Sequence, residues 1–499
     1  MLTALLFAAG SCVLAIPPLS HLSAIQTCEK HDLACGIDPG DDFYAFVNKR
    51  WEDSAVIPDS EVQVGSFLTV HLENEEKISK IVSDIVEKSA AGSKDYVTNL
   101  IADLYTSGMD QDAIESSTSD LVKAYLAEID GITTVTEAVR IAWAQKTRGL
   151  NGAFFYDLQA DADLHNSSHS FGMLATGGIS LPKSYYLEEQ NRQVLQAYTA
   201  YLRKLFLISR SASADNVDGM VERVLWFETE LAKVALTPVE ERNISLTSTK
   251  YMYSELPSRF PGIPWDTIRK QESKMSAEEI GPVRVDCLRC FDRLGSLLET
   301  TPLPTIISYV KANFLMAAAD DLGYEYEEAV FQWNQAYSGI KEAKPRWKKV
   351  LAKLNSYVGQ PLGKLYVEKY FAPEQKADVI AMVDLLLKTI RGRISGAKWM
   401  SDGTRAKAHA KLDKMNVKMG YPDQWDDYTP LKELISKDMP FIEKLAAIHS
   451  WKTQRKMTEK INKAYNKEQW HMTPQTVNAY YSPDQNEIVF PAGFLSRKQ

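Results

Sequence analysis

The sequence is poor in histidine and cysteine, the side chains that most often bind zinc in proteins. Only 8 of its 499 residues are histidine and 5 are cysteine. No histidine is followed by glutamate, so the motif His-Glu-x-x-His does not occur in these residues. That motif places two imidazoles and a catalytic carboxylate on one helix face. The sequence therefore predicts neither a metal ligand nor a catalytic residue of this type.

Long basic runs and low-complexity tracts are also missing. The net charge is −8, and the densest basic stretch is the short Arg346-Trp-Lys-Lys349. A nucleic-acid-binding surface normally requires a larger concentration of positive charge, so we expect no nucleic-acid partner. With 45% apolar and 24% charged residues, the composition is typical of a globular protein with a sizeable core.

Apolar residues concentrate at the start of the chain. Residues 2–16 form an apolar run that is followed by Pro17 and Pro18. This pattern predicts a secretory signal peptide over residues 1–15 and a secreted, extracellular protein. The alternative is an uncleaved anchor that keeps an extracellular domain at the membrane. A spanning helix needs about 20 apolar residues, which favours the signal peptide.

Four cysteines follow this segment: Cys28, Cys35, Cys287 and Cys290. Two local disulfides, Cys28 with Cys35 and Cys287 with Cys290, are the simplest arrangement in an oxidising compartment, although the sequence does not choose among the pairings. The spacing Cys287-Leu-Arg-Cys290 is also that of half a zinc site. Because the sequence has no second pair of this kind, a disulfide or free thiols are favoured over a metal.

Two tripeptides match the acceptor pattern for N-glycosylation. They are Asn166-Ser-Ser and Asn243-Ile-Ser. Glycans at these positions would suit a secreted protein, but such tripeptides also arise by chance.

Apolar residues recur at helical spacing through most of the chain and predict a mainly α-helical fold with few short strands. The segment 152–161 is rich in aromatic residues and is predicted to be a strand. A polar loop should follow it, and His165 and His169, four residues apart, are assigned to that loop. Asp402 is predicted to cap a helix that continues past Met415 and stops at Gly420.

Three motifs resemble, in chain order, the neprilysin and endothelin-converting-enzyme family of zinc metallopeptidases. The first is Asp41-Asp-Phe-Tyr-Ala-Phe-Val-Asn-Lys-Arg-Trp51, the second is Gly178-Ile-Ser-Leu-Pro-Lys-Ser-Tyr-Tyr-Leu187, and the third spans 477–495. The resemblance implies a multi-helical peptidase N-terminal domain over residues 38–425. It also implies that a thermolysin-like catalytic domain begins at 477–499 and is incomplete.

The last motif carries the expected site. In the family, Asn-Ala-Tyr lies on an edge strand that pairs with the peptide substrate, so the resemblance implies that Asn478, Ala479 and Tyr480 bind substrate through main-chain hydrogen bonds. The alternative is that Tyr480 and Tyr481 are part of an ordinary half-buried strand.

The resemblance implies a secreted zinc-dependent metalloendopeptidase that cleaves oligopeptides. In the family, the zinc motif follows the position of Leu495, where this sequence departs from the family pattern. We therefore expect a truncated chain that binds no zinc and is inactive alone. The alternative is a non-catalytic, peptide-binding or decoy product of a truncated gene.

Overall fold

Helices make up most of the structure, a computed structural model that describes residues 33–150, 152, 155–163, 166–211, 214–272 and 275–495. The predicted mainly α fold is confirmed. The α-helices in the described residues are α1 Phe43–Ser54, α2 Ser66–Ala90, α3 Tyr96–Met109, α4 Gln111–Asp130, α5 Val135–Thr147, α6 Lys183–Leu187, α7 Arg192–Ile208, α8 Ala214–Val234, α9 Pro238–Glu241, α10 Ile244–Thr247, α11 Leu256–Arg259, α12 Trp265–Glu272, α13 Ala277–Ile280, α14 Leu288–Thr300, α15 Leu303–Ala318, α16 Tyr324–Ser338, α17 Arg346–Tyr370, α18 Pro373–Ser395, α19 Asp402–Asp413, α20 Phe441–Lys460 and α21 Ala492–Leu495.

Seven short strands accompany these helices in the described part of the chain. They are β1 Tyr156–Asp163, β2 Asn166–Thr176, β3 Thr249–Met252, β4 Pro282–Val285, β5 Asn416–Gly420, β6 Tyr480–Ser482 and β7 Glu487–Pro491. One sheet has the order β1-β2-β4-β3 and the other the order β5-β7-β6.

The chain divides into two units. The smaller unit comprises Met1–His71 and Ile340–Glu342. Within it, the side chain of Asp42 caps α1 by accepting a hydrogen bond from the backbone N–H of Ala45. The backbone N–H groups of Lys341 and Glu342 both donate to the carbonyl of Asp59.

The larger unit comprises Leu72–Gly339 and Ala343–Gln499 and contains two apolar cores. The first core surrounds the four-stranded sheet and is rich in aromatic rings. Trp143, Tyr156, Trp265 and Phe291 are all at most 2% exposed and contact one another in a chain of rings. The second core lies among α2, α3, α17 and α20 and includes Ala492, at the start of α21.

The prediction for residues 152–169 was right for the first strand and wrong for the loop. β1 lies where a strand was predicted, but β2 replaces the polar loop and pairs antiparallel with β1. His169 lies on β2, half-buried, with Nε2 3.1 Å from Oδ1 of Asn462. Apolar residues from Phe171 to Leu174 make this segment a strand despite its polar start. His165 lies outside the described residues.

The helix predicted to begin at Asp402 and to continue past Met415 is shorter than expected. Ser401, rather than Asp402, caps α19, because its hydroxyl accepts a hydrogen bond from the N–H of Thr404. The helix ends at Asp413, and residues 416–420 form β5. Pairing with β7 gives the backbone N–H and C=O groups of these residues hydrogen-bond partners, so they do not need to continue the helix.

The segment Gly178–Leu187 is held by a buried carboxylate. Glu228, on α8, is 0% exposed and accepts hydrogen bonds from the hydroxyls of Ser180 at 2.6 Å, Tyr186 at 3.0 Å and Tyr198 at 3.0 Å. Burial raises the pKa of Glu228 to about 7, although these three donors act to lower it. The carboxyl group therefore titrates near neutral pH.

The folded protein should lose stability as Glu228 ionises. Its folded pKa of about 7 exceeds its ordinary value of 4.5, so its contribution is complete below pH 4.5 and is lost as pH rises through 7. Glu228→Gln keeps a neutral amide that hydroxyls can satisfy. Between acidic and mildly alkaline pH, we expect the free energy of unfolding of wild type to fall by about 3 kcal/mol relative to that of this variant. Urea unfolding over that pH range measures the difference.

Glu222→Gln is the matched control, because Glu222 lies exposed on the same helix. It should follow the pH dependence of wild type. Parallel stability curves for wild type and Glu228→Gln would contradict the assignment.

Candidate functional site

The three-stranded sheet has an open edge at β6. β6 pairs antiparallel with β7, with Tyr480 opposite Val489 and Ser482 opposite Glu487, while β7 pairs on its other side with β5. No other strand of the described residues pairs with the outer side of β6. Its outward N–H and C=O groups are therefore available to a further extended chain.

Of the three residues expected on the edge strand, Tyr480 begins β6, whereas Asn478 and Ala479 lie directly before it. Asn478 is exposed, and its Oδ1 accepts a hydrogen bond from the N–H of Ala479 at 2.8 Å. The hydroxyl of Tyr480 donates to Oε1 of Glu487 and accepts from the N–H of His471, each at 3.3 Å. Burial, with the nearby Glu487 carboxylate, raises the pKa of Tyr480, so its hydroxyl keeps its proton.

A buried ion pair lies beneath the edge strand. Glu487 is 0% exposed and Lys418 is 5% exposed, with Nζ of Lys418 2.7 Å from Oε2 of Glu487. Nζ also donates to the carbonyl of Gln469 at 2.7 Å. Because Glu487 also accepts the hydroxyl of Tyr480, the ion pair joins β5, β7, β6 and the segment around Gln469.

A single buried amide fixes both ends of the β6–β7 hairpin to the helices. Asn74, on α2, is 2% exposed, and its Nδ2 donates to the carbonyls of Gln475 and Gly493, each at 3.3 Å. Its Oδ1 accepts from the hydroxyl of Tyr366 at 2.9 Å. The segments that enter and leave the hairpin are thus tied to the second core.

Glycine is required where these segments meet. A Cβ atom on Gly493 would lie 2.3 Å from the carbonyl oxygen of Gln475, which is too close for any side chain. A Cβ on Gly363 would lie 2.6 Å from Oε1 of Gln475 and from Cδ of Pro474. These two glycines let the chain before β6 run between α17 and α21.

Sequence reasoning predicted the edge strand but missed its supports, Asn74, Lys418 and Glu487. Asn74 stands in a helix whose other buried positions are mostly apolar, and its role depends on residues about 400 positions away. The sequence indicated only weakly that Lys418 and Glu487 are buried, since each is a charged residue next to apolar residues in a short segment. Neither position alone indicates that the other is its partner.

The predicted cysteine and asparagine sites have different outcomes. Cys287 and Cys290 are joined by a disulfide at the start of α14, with their Cα atoms 5.3 Å apart. Cys35 is a half-buried free thiol, and Cys28 lies outside the described residues. Asn166 and Asn243 are both exposed, and their glycosylation stays a prediction.

Within the described ranges, no group of three or more His, Cys, Asp or Glu side chains is arranged to hold a metal ion. None of the helices described is both long enough and apolar enough to cross a membrane.

Removing the Asn74 amide should destabilise the protein strongly. Asn74→Ala leaves two buried carbonyls and a buried hydroxyl without this partner, and we expect a loss of about 3 kcal/mol of unfolding free energy. Tyr366→Phe removes only one of these bonds and should cost about 1 kcal/mol. Urea unfolding measures both. Equal effects of the two variants would contradict the bridging role of Asn74.

The buried pair should show strong coupling in a double-mutant cycle. Lys418→Met or Glu487→Met alone leaves a buried charge unpaired and should cost about 3 kcal/mol, whereas the double variant should be less destabilised than the two single losses together predict. The control cycle uses Arg192 and Glu189, whose side chains are 67% and 82% exposed, and should be nearly additive. Additive losses at Lys418 and Glu487 would contradict the pairing.

Comparisons with known proteins agree on the family. A model of peptidase family M13 matches residues 39–422. Endothelin-converting enzyme 1 of Homo sapiens is 25% identical over 478 residues, which are 92% of this chain and 60% of the relative, and that of Cavia porcellus is also 25% identical, with 62% of its length covered. The chain thus spans about three fifths of the length of these relatives.

Solved structures show the same fold. Zinc metalloprotease ZMP1 of Mycobacterium tuberculosis, solved with an inhibitor, matches with a TM-score of 0.84 and 26% identity over 93% of this chain and 69% of its own. PepO of Lactobacillus rhamnosis matches in fold with a TM-score of 0.80 and 23% identity, over 92% of this chain and 71% of its own. With the family model matching more than half of its residues, this chain belongs to peptidase family M13.

Proposed function

We propose that this chain binds an extended oligopeptide along the open edge of β6. The observation that supports this most directly is the edge itself, with Asn478 and Ala479 beside it and no strand of the described residues on its outer side. A peptide that adds to β6 gains main-chain hydrogen bonds whatever its sequence, while neighbouring side chains select among peptides. Such binding suits a protein that acts on many oligopeptides.

The residues of the edge have separate parts in this binding. The exposed Asn478 amide has donors and an acceptor for a peptide backbone, once its bond to the N–H of Ala479 is exchanged. Tyr480 points the other way, toward Glu487, and holds β6 in register. The buried pair below keeps the edge rigid, so little order is lost when the peptide binds.

Family membership supports a role in zinc-dependent cleavage of peptides. The relatives include a protein named as a zinc metalloprotease and others named as endothelin-converting enzymes. The described residues, however, do not fit a zinc ion, because they contain no suitable group of ligands and no His-Glu pair occurs in the 499 residues. We propose that these residues supply peptide binding to a family M13 endopeptidase and do not hydrolyse peptides by themselves.

A second candidate is a non-catalytic peptide-binding or decoy protein. This candidate is favoured because β6 is paired with β7 and open on its other side while these residues carry no zinc motif. Zinc content and turnover of peptides by the purified protein distinguish it from a peptidase. One zinc ion per chain together with peptide cleavage would overturn the inactivity proposed above.

We also propose that the protein acts outside the cell. The Cys287–Cys290 disulfide and the apolar run at residues 2–16 support export into an oxidising compartment. Retention of the apolar run as an anchor would keep the same domain at the membrane surface. The N-terminal sequence of the mature protein decides between these outcomes.

Peptide binding at β6 should be sensitive to blocked backbone groups in the ligand. Two isomers of an uncharged hexapeptide, N-methylated at alternate odd or even residues, expose opposite sets of N–H groups when extended. One isomer should bind about tenfold more weakly than the unmodified peptide, and the other should bind nearly as well. Calorimetric titration measures the three affinities.

Asn478→Ala should weaken binding of the unmodified peptide about tenfold, because the variant lacks the amide that would contact the peptide backbone. Asn216→Ala, at an exposed position on α8, should leave binding unchanged. Equal binding of the two methylated isomers would show that the peptide does not add to the sheet.

A further inference from the structure

One face of α20 carries four basic residues and borders a cavity. Lys452, Arg455, Lys456 and Lys460 are spaced three, four and eight positions from the first, so they lie on the same side of the helix. The cavity has a volume of about 430 Å³ and is also lined by the segments 422–428 and 466–470. None of the edge-strand residues lines it.

Two of these cations form no ion pair within the residues that the structure describes. Arg455 is neutralised by Glu459 at 3.0 Å and by Asp426 at 3.8 Å. In contrast, neither Lys452 nor Lys460 forms an ion pair with any carboxylate in the described part of the chain. Burial lowers the pKa of Lys452 to about 8, and burial together with the nearby Lys456 lowers that of Lys460. The cavity therefore presents incompletely compensated positive charge.

The ammonium of Lys452 is held by a backbone carbonyl of α17, close to a kink in that helix. α17 departs from helical geometry at Val358, and Pro361 lacks the N–H that a regular helix would use there. Nζ of Lys452 donates to the carbonyl of Ser356 at 2.9 Å, just before this kink, and lies 5.8 Å from the centre of the Tyr428 ring. The lysine is thus held beside the cavity by a carbonyl and an aromatic ring and forms no ion pair, although Asp426 lies near enough to raise its pKa slightly against burial.

A second polar group at the cavity lacks a partner. Oε1 of Gln360 is buried, lines the cavity through its residue, and accepts no hydrogen bond from the described residues. Such an acceptor is costly to leave unpaired, so a ligand with an N–H donor would gain from it. The cavity therefore offers two cations that form no ion pair within the described residues and one unsatisfied acceptor.

The remaining walls of the cavity are formed by aromatic rings and by a segment that is hydrogen-bonded to β5. Trp425, Trp451 and Trp470 line the cavity, and the ring centres of Trp451 and Tyr428 are 5.2 Å apart. The wall at residues 466–470 is bonded to β5, because Nζ of Lys418 donates to the carbonyl of Gln469. Aromatic faces suit the apolar part of a side chain, and a fixed wall limits the entropy lost on binding.

Carboxylates among the lining residues limit the kind of anion that fits. Asp426, Glu459 and Glu468 also border the cavity, so its four basic residues leave only a small positive excess. A highly charged polyanion would be repelled by these groups. A single carboxylate beside Lys452 or Lys460 would be attracted.

We propose that this cavity binds an acidic side chain of a peptide, with its carboxylate attracted by Lys452 and Lys460 and a neighbouring peptide N–H donating to Gln360. Its preference is for aspartate or glutamate within an otherwise uncharged sequence. The choice of a peptide as ligand rests on the proposed function, whereas the preference for a carboxylate rests on the cavity.

The test compares two probes that differ in one charge. They are acetyl-Ala-Ala-Glu-Ala-Ala-amide and the same peptide with glutamine in place of glutamate. Calorimetric titration should show about tenfold tighter binding of the glutamate peptide at neutral pH, as a charge-assisted hydrogen bond predicts. Equal affinities, or no binding of the glutamate peptide, would overturn the proposal.

Variants of the two lysines show whether the preference for the glutamate peptide arises in this cavity. Lys460→Gln should reduce the ratio of the two affinities, and Lys452→Gln with Lys460→Gln should bring it to about one. The variant Lys460→Gln is tested alone because Lys452 also donates a hydrogen bond to the carbonyl of Ser356, so replacing Lys452 affects folding as well. The charge-matched control replaces exposed Lys388 and Lys437 with glutamine and should keep the ratio of wild type. A ratio that survives the double variant would overturn the site.

Failure of this inference and failure of strand addition give different results. If peptides bind with a preference between the methylated isomers but without a preference for glutamate, strand addition stands and the cavity site is wrong. If the glutamate peptide binds through Lys452 and Lys460 while the methylated isomers bind equally, the reverse holds.

Discussion

The open edge of β6 depends on the buried amide of Asn74. A three-residue strand with one neighbour has too few hydrogen bonds to hold its own position. Asn74 supplies the missing restraint by bonding to the chain just before β6 and just after β7, and Tyr366 fixes the amide in turn. The helices thereby order an edge that the sheet alone could not keep open.

Buried charge is treated in two ways in this protein. Lys418 and Glu487 neutralise each other, and further hydrogen bonds satisfy both groups, so this pair stabilises one arrangement of the sheet. Glu228 is surrounded by neutral hydroxyls instead. Lys452 and Lys460 resemble Glu228 in that none of the three forms an ion pair within the described residues, although the two lysines are only half-buried. Charge that is left uncompensated responds to its surroundings, whether to protons or to a ligand.

Local signals in the sequence were enough for most of the helices, whereas the edge strand was predicted from the family resemblance of the motif at 477–495. Periodic apolar residues such as Ile78, Ile81 and Ile85 predicted α2 because a helix buries one face regardless of its partners. The strand β5 was missed because its pairing with β7 depends on residues about 70 positions later. Asn74 was missed for the same reason. The motif at 477–495 showed where peptide binding is expected, whereas the cavity beside α20 depends on four segments that are separated in sequence.

The short length of β6 has a further consequence for self-association. An exposed edge strand can pair with the same strand of another molecule and so start aggregation. β6 offers about 10 Å of edge, and Pro483 follows it at once, with no N–H to continue a ladder. Two such edges would gain few bonds from each other. The protein can therefore keep the outer edge of β6 unpaired and still resist assembling into fibres through that edge.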